Sequence, residues 1–146
     1  MTSLLRIDRT PSLVGKVLDF TPTGFLARLL LVSAYIVGGV HKLGDWPAAV
    51  AEQAHFGLTP SALWAALTIA VEVIGAFLVL AGRLVWLGAG MLGVFTFFAA
   101  LVANAFWAMP EGPERFGATN AFFEHMGLVG GFILVAMLTR KGKDGA

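Results

Sequence analysis

The residue with the clearest chemical consequence in this sequence is Glu72, an acidic side chain within a long apolar segment. The segment Ser61–Leu80 has twenty residues and no other charge. A helix of about 20 residues crosses the hydrocarbon core of a bilayer, where an ionised group costs several kcal/mol unless it is paired. We therefore expect Glu72 to be either a buried ion-pair member or protonated. It is the main candidate for a catalytic acid or base.

Two cations on the first apolar segment could pair with buried carboxylates. Arg28, Tyr35 and Lys42 are seven residues apart and so share one face of a helix. Counting depth from the segment ends places Arg28 about 6 Å from the level of Glu72, within reach of an Arg side chain. We expect an Arg28–Glu72 pair in the inner half and a Lys42–Glu124 pair in the outer half. Alternatively, both cations extend to the headgroups and fix only the helix register.

Other polar and aromatic residues lie near the outer ends of the segments. Asn104 is expected to form an interhelical hydrogen bond or to contact a ligand. Trp107, with neighbouring phenylalanines, could line a quinone pocket, or these rings could simply face lipid or the protein core. His41 and His125 could contribute to a metal or haem site, although interfacial polar groups are the simpler interpretation. A b-type haem would need deeper ligands, so we expect no metal and no haem, and a quinone remains the candidate cofactor.

The composition indicates an integral membrane protein. The chain has 146 residues, of which 58% are hydrophobic and 13% charged, and its mean hydropathy is +0.81. A soluble domain of this size would have more polar surface. The chain has no cysteine, which excludes disulfides, thiol relays, iron–sulfur clusters and covalently attached haem. No Lys/Arg cluster with interleaved aromatics suggests nucleic acid as a partner.

Four apolar segments predict an all-α, four-helix membrane bundle in one domain, residues 1–146. Each has about the length that a helix needs to cross the membrane, and together they are residues 24–40, 61–80, 84–106 and 121–138. The tight connection Ala81–Arg83 predicts a hairpin between the second and third helices. Residues 11–20 predict a short interfacial helix. Asp45–Phe56 could form a second one on the outer side, although Pro47 lies within it.

The basic residues predict the orientation of the bundle. Eight of them lie on the side of the two termini and only Lys42 and Arg115 on the other; the eight are Arg6, Arg9, Lys16, Arg28, Arg83, Arg140, Lys141 and Lys143. This bias predicts cytoplasmic termini and outward-facing long loops. The first sixteen residues have no apolar stretch before a small-residue cleavage site, so we interpret them as mature sequence and not as a signal peptide.

Several motifs, in this order along the chain, resemble the DoxX family of small bacterial four-helix membrane proteins. They are the Arg that opens the first helix, the G-x-x-K that closes it, a Glu followed by Gly in the second helix, an Arg before the third and a Gly pair in the fourth. The resemblance covers roughly Arg28–Ala136. The chain departs from many relatives at Asn104, where they carry His, and at His125–Met126, where they carry Lys–Asn.

The resemblance implies the bacterial cytoplasmic membrane and a redox role. Relatives include the membrane subunit of a thiosulfate:quinone oxidoreductase and a mycobacterial protein that assembles with superoxide dismutase and a sulfurtransferase. Arg28, Lys42, Glu72 and Arg83 occupy matching positions. We therefore expect a membrane subunit of a quinone-linked redox system, with the lipid bilayer and a soluble redox protein as partners.

The expected site has two groups of residues. The catalytic group is Glu72 as acid or base, Arg28 tuning its charge, and Tyr35; the ligand-binding group is Lys42, Glu124, Asn104 and Trp107. Whether the chain is itself an enzyme stays open, because the alternative is a non-catalytic anchor or assembly platform whose buried charges hold the bundle together. Glycines at helical spacing would permit a homo-oligomer without requiring one.

Overall fold

The computed structural model describes residues 10–144, with side chains described through Arg140. Within this range the chain is helical and contains no strand. The helices are α1 (Ser12–Leu18), α2 (Thr21–Gly44), α3 (Trp46–His55), α4 (Ser61–Ala81), α5 (Val85–Ala103) and α6 (Pro113–Asp144), with a 3-10 turn at Phe106–Ala108. The predicted all-α fold is confirmed. Arg6 and Arg9, and most of the segment interpreted as mature sequence, lie outside the described residues.

Four of these helices are long and apolar enough to cross a membrane: α2, α4, α5 with the turn that follows it, and α6. Large apolar side chains on their outer faces, such as Leu30, Phe77, Trp86 and Leu138, are about two-thirds exposed. Such exposure is expected where a helix faces lipid and not water. The protein is therefore a multi-pass membrane protein.

Two of the spanning helices extend beyond their predicted limits. α2 runs from Thr21 to Gly44, and α6 begins at Pro113 and not near residue 121. Proline is well tolerated in the first turn of a helix because its missing N–H would have no partner there. Glu114, in the same turn, interacts favourably with the helix dipole. Part of the connection that the sequence suggested is therefore the first two turns of α6.

The short helix α3 lies at one end of the bundle, which we call the outer end. It follows α2 directly and packs mainly against α4. Asp45 caps α3, since its carboxylate accepts a hydrogen bond from the Ala48 N–H at 3.0 Å. Pro47 lies in the first turn, where it does not interrupt the helix. The outer surface helix therefore forms despite the proline, and its buried residues are Ala49 and Gln53.

The spanning helices pack in the order α2, α4, α5, α6, and α2 and α6 make the weakest contact among them. The core is made by Val32, Val79, Leu92 and Phe132, all almost completely buried. Tyr35 packs against Phe132, with ring centroids 5.5 Å apart. These side chains bring all four helices together.

α4 and α5 approach each other closely at Gly75 and Gly88. A Cβ atom on Gly88 would lie 2.8 Å from the Gly75 carbonyl oxygen, and one on Gly75 would lie 2.7 Å from Leu92 Cγ. Both distances are shorter than carbon atoms tolerate. The α4–α5 hairpin therefore depends on small residues at this approach, as is common where membrane helices pack.

We predict that Gly88→Ala lowers the free energy of unfolding by about 1–3 kcal/mol, because the added methyl group forces α4 and α5 apart. Gly90→Ala is the matched control: it lies on the same helix, and no atom lies within 4 Å of its added Cβ. Unfolding in detergent, followed by tryptophan fluorescence, measures both. Equal losses of stability in the two variants would contradict the close-packing argument.

Candidate ligand-binding cleft

Glu72 forms an ion pair with Lys42 and not with Arg28. Lys42 Nζ lies 3.1 Å from Glu72 Oε1 and 3.3 Å from Oε2, so one ammonium contacts both carboxylate oxygens. The Glu72 side chain is 7% exposed and that of Lys42 16%. Of the two states expected for Glu72, the structure has the buried ion pair. The expected Arg28–Glu72 pair is wrong.

Arg28 does not reach Glu72 because of the register of α2 against α4. Gly38 is the α2 residue that faces the Glu72 carboxylate, whereas Arg28 lies beside Gly82, where an added Cβ would meet Arg28 Nη1 at 3.3 Å. Gly38 and Arg28 are ten residues apart, or about 15 Å along the helix. A side chain cannot cover that distance. Lys42 lies only one turn beyond Gly38 and extends back along α2 to reach Glu72.

The expected Lys42–Glu124 pair is also wrong. Besides Glu72, Lys42 Nζ lies 3.9 Å from Glu52 Oε2 on α3. Glu124 is exposed on α6 and makes no ion pair within the described part of the chain. Lys42 therefore connects a buried carboxylate of α4 to a half-exposed carboxylate of α3.

Gly38 and Gly39 make room for this ion pair. A Cβ on Gly38 would lie 3.2 Å from Glu72 Oε1 and 3.4 Å from Lys42 Nζ, and one on Gly39 would lie 2.9 Å from Val73 Cγ2. A larger residue at either position would push α2 away from α4. This glycine pair therefore gives α2 and α4 a close approach and leaves space for two charged groups.

Tyr35 and Thr96 form a second buried polar pair, between α2 and α5. The Thr96 hydroxyl donates to the Leu92 carbonyl oxygen at 2.6 Å, and it has only one proton to donate. In the hydrogen bond between Tyr35 and Thr96, Tyr35 is therefore the donor. The phenol oxygen keeps a free lone pair, so Tyr35 can accept a hydrogen bond from a ligand but has no proton left to donate.

Both polar pairs line one cleft of about 1080 Å³. Every residue that α4 and α5 contribute lies on the outer side of the Gly75–Gly88 approach. The polar lining residues are Tyr35, Lys42, Glu52, Gln53, Thr68, Glu72, Thr96 and His125. Most of the remaining wall is aliphatic or aromatic. The cleft is therefore amphipathic, with a small polar region and long apolar walls.

Four of the predicted site residues line this cleft: Glu72, Tyr35, Lys42 and His125. Four cleft residues were missed by the sequence reading, namely Glu52, Gln53, Thr68 and Thr96. Thr68 carried a usable signal, because it precedes Glu72 by one helical turn and so shares its face. Thr96 on α5 and the two α3 residues carried none, since only tertiary packing brings them to Glu72.

Five other candidates lie elsewhere: Arg28, His41, Asn104, Trp107 and Glu124 do not line the cleft. The Nε atom of Arg28 is buried and has no hydrogen-bond partner in the described structure. Asn104 ends α5, and its backbone N–H donates to the Ala100 carbonyl. Trp107 lies in the 3-10 turn before α6, where its ring centroid is 5.2 Å from that of Phe106 and 5.7 Å from that of Phe122 on α6.

Metal binding has no support from the geometry of the described residues, where no three His, Asp or Glu side chains come together. His125 Nδ1 lies 2.7 Å from the Ala121 carbonyl oxygen, so Nδ1 carries the proton and donates to it. The other ring nitrogen, Nε2, remains for a contact in the cleft. His41 is exposed near the end of α2.

The fold and the cleft together define a small helical membrane protein with an amphipathic cleft between its helices. The family model described as DoxX matches residues 24–105, more than half of the chain, so the protein belongs to the DoxX family. The match spans α2 to α5 and includes Tyr35, Lys42, Glu72 and Thr96, while His125 lies beyond it. No curated protein and no solved structure matches the chain.

The ion pair predicts a specific pattern of coupled stability. Lys42→Met leaves the Glu72 carboxylate without a partner and should lower the free energy of unfolding by about 3 kcal/mol. Adding Glu72→Gln should restore most of that loss, because the double variant buries no unpaired charge.

The matched comparison is a second pair of substitutions, in which Arg28→Met takes the place of Lys42→Met. The effects of Arg28→Met and Glu72→Gln should simply add, since these side chains lie far apart. Unfolding of all five variants in one detergent measures both couplings. Coupling of Glu72 to Arg28 instead of Lys42 would contradict the register of α2 against α4 that places Gly38 opposite Glu72.

Proposed function

We propose that this protein is the quinone-binding membrane subunit of a redox system in the bacterial cytoplasmic membrane, with both termini in the cytoplasm. The observation that carries the proposal is the buried Glu72–Lys42 pair lining an otherwise apolar cleft. Ligand sites usually combine apolar walls with a few polar groups that fix orientation. Membership of the DoxX family supports the redox role, since relatives include a subunit of a thiosulfate:quinone oxidoreductase.

The polar groups suit the head of a quinone, a flat ring with two carbonyl oxygens. Lys42 donates a hydrogen bond to one carbonyl, and an ammonium makes this a strong, charge-assisted bond. When the quinone takes up two electrons and two protons to become a quinol, the Glu72 carboxylate first binds a proton that enters from water past the half-exposed Glu52 and then passes it to a quinone oxygen, and the second proton follows by the same route. In the reverse direction, the carboxylate receives each proton from the quinol. Tyr35 then accepts a hydrogen bond from a quinol hydroxyl, which is the one role that its contact with Thr96 leaves open.

The electrons come from outside the chain in this proposal. A sequence without cysteine cannot build an iron–sulfur cluster or a thiol relay. A cofactor of a soluble redox partner therefore supplies or removes them, and this subunit contributes binding, orientation and proton transfer. Arg28 has no part in the proposed chemistry, because it lies beside Gly82 at the other end of α4.

Quinone binding should depend on the ion pair. In nanodiscs, Lys42→Met should weaken binding of decylubiquinone about tenfold, the cost of one charge-assisted hydrogen bond. Glu72→Gln should retain binding but lose proton transfer, so that quinone reduction with the redox partner falls at least a hundredfold. Titration calorimetry and a quinone absorbance assay measure the two effects.

The control is Glu111→Gln, which removes an exposed carboxylate outside the cleft and should change neither property. A wild-type protein that binds no quinone contradicts the proposal. So does a Glu72→Gln variant with full activity.

The alternative function is a non-catalytic anchor, and one observation favours it. Lys42 connects α2, α3 and α4 through its two carboxylate contacts, which is also what a purely structural group would do. On this reading the Lys42→Met, Glu72→Gln double variant folds and still recruits its soluble partner with unchanged activity. Isolation in mild detergent, followed by an assay of the copurified partner, separates the two functions.

A further inference from the structure

The cleft has an open side, where the lining side chains are apolar and exposed, unlike the buried polar side chains deeper in the cleft. The large apolar side chains that line the cleft and are also exposed all belong to α4 and α5. They are Trp64, Leu67, Val94, Phe98 and Val102, between 41% and 60% exposed. The polar lining residues Tyr35, Thr68, Glu72 and Thr96 are all buried. Apart from the half-exposed Glu52 at the outer end, the cleft is thus polar where it is closed and apolar where it is open.

This opening lies at the level of the membrane. Trp64 and Leu67 belong to the spanning helix α4, and Val94, Phe98 and Val102 to the spanning helix α5. Side chains exposed on such segments face lipid chains. A molecule passing between these two walls therefore arrives from the bilayer and not from water.

We infer that the cleft takes its ligand sideways from the bilayer, between α4 and α5, and that the ligand is a lipid with a compact hydrogen-bonding head and a long apolar tail. The inference rests on the proposed function and specifies its substrate class as a quinone with a hydrocarbon tail. The head lies against Lys42 and Glu72. The tail runs out between Trp64 and Phe98 into the surrounding lipid.

The size of the cleft agrees with such a ligand. Pockets for drug-sized molecules occupy roughly 300–1,000 Å³, whereas this cleft has about 1080 Å³. A quinone ring alone would leave much of it unfilled. The apolar walls on the outer side of Gly75 and Gly88 give the first part of a tail a continuous surface to cover.

The competing route leads through the outer end of the bundle. Glu52 lines the cleft and is about half exposed, so a small polar molecule could reach Lys42 past α3. That ligand would need no tail, and its binding would not depend on the α4–α5 opening. The two routes therefore predict different responses to tail length.

Gly90 offers a way to narrow the opening without disturbing the fold. It lines the cleft, is exposed, and lies on the same helical face as Val94 and Phe98. A Cβ added there would meet no atom within 4 Å. The matched control is Gly127 on α6, which is also exposed and free of neighbours within 4 Å but does not line the cleft.

The experiment compares decylubiquinone, which has a ten-carbon tail, with tailless ubiquinone-0 in nanodiscs, and corrects both affinities for partition into empty nanodiscs. Wild-type protein should bind the tailed probe at least tenfold more tightly. Gly90→Leu should lower the affinity for the tailed probe about tenfold and leave the affinity for the tailless probe unchanged. Gly127→Leu should change neither affinity. Val94→Phe narrows the same opening by another side chain and should repeat the result if Gly90→Leu does not fold.

Three outcomes would overturn the inference. The first is equal affinity of wild-type protein for both probes. The second is that the folded variants Gly90→Leu and Val94→Phe bind the tailed probe as tightly as wild-type protein does. The third is that these variants lose affinity for both probes equally. In each of these cases quinone binding itself survives. If wild-type protein binds neither probe, the proposed function fails as well, and the two failures are thereby distinguished.

Discussion

The contact between the Lys42 ammonium and the Glu72 carboxylate is the interaction on which this structure most depends. An ionised carboxylate deep in a membrane protein is too costly to leave unpaired, so the register of α2 against α4 must bring a cation to it. Lys42 lies one helical turn beyond Gly38, the α2 residue that faces the carboxylate, and Gly38 leaves space for both charged groups. The polar region of the cleft follows from this register.

A buried ion pair is a poor way to stabilise a bundle. Removing two charges from water costs about as much as their attraction returns, and well-packed apolar residues of similar size are often as stable or more so. Stability alone therefore does not account for a Lys and a Glu at these positions. Their location along a cleft that continues as apolar wall suits the role that we propose for them, which is to orient a ligand that is mostly apolar.

The sequence was sufficient for the fold and for the central residue of the site, but not for the partner of that residue. Hydropathy and length predict four spanning helices, and a lone Glu in such a helix stands out without a structure. Whether Arg28 or Lys42 pairs with Glu72 depends on the register of α2 against α4. The ends of the apolar segments do not determine that register. Register is set by where small residues let the helices approach, here Gly38 against Glu72. The contribution of α3 could not be predicted, because Glu52 comes close to Lys42 only through the packing of α3 against α4.

The three carboxylate oxygens around Lys42 also explain how one residue can serve both the bundle and a ligand. The two Glu72 contacts are short, at 3.1 and 3.3 Å, whereas the Glu52 contact is 3.9 Å and half exposed to solvent. An exposed, long ion pair contributes little free energy. A carbonyl oxygen entering the cleft would therefore replace the Glu52 contact first and leave the Lys42–Glu72 pair intact. In the proposed function, Lys42 thus binds a head group without giving up the interaction that holds α2 and α4 in register.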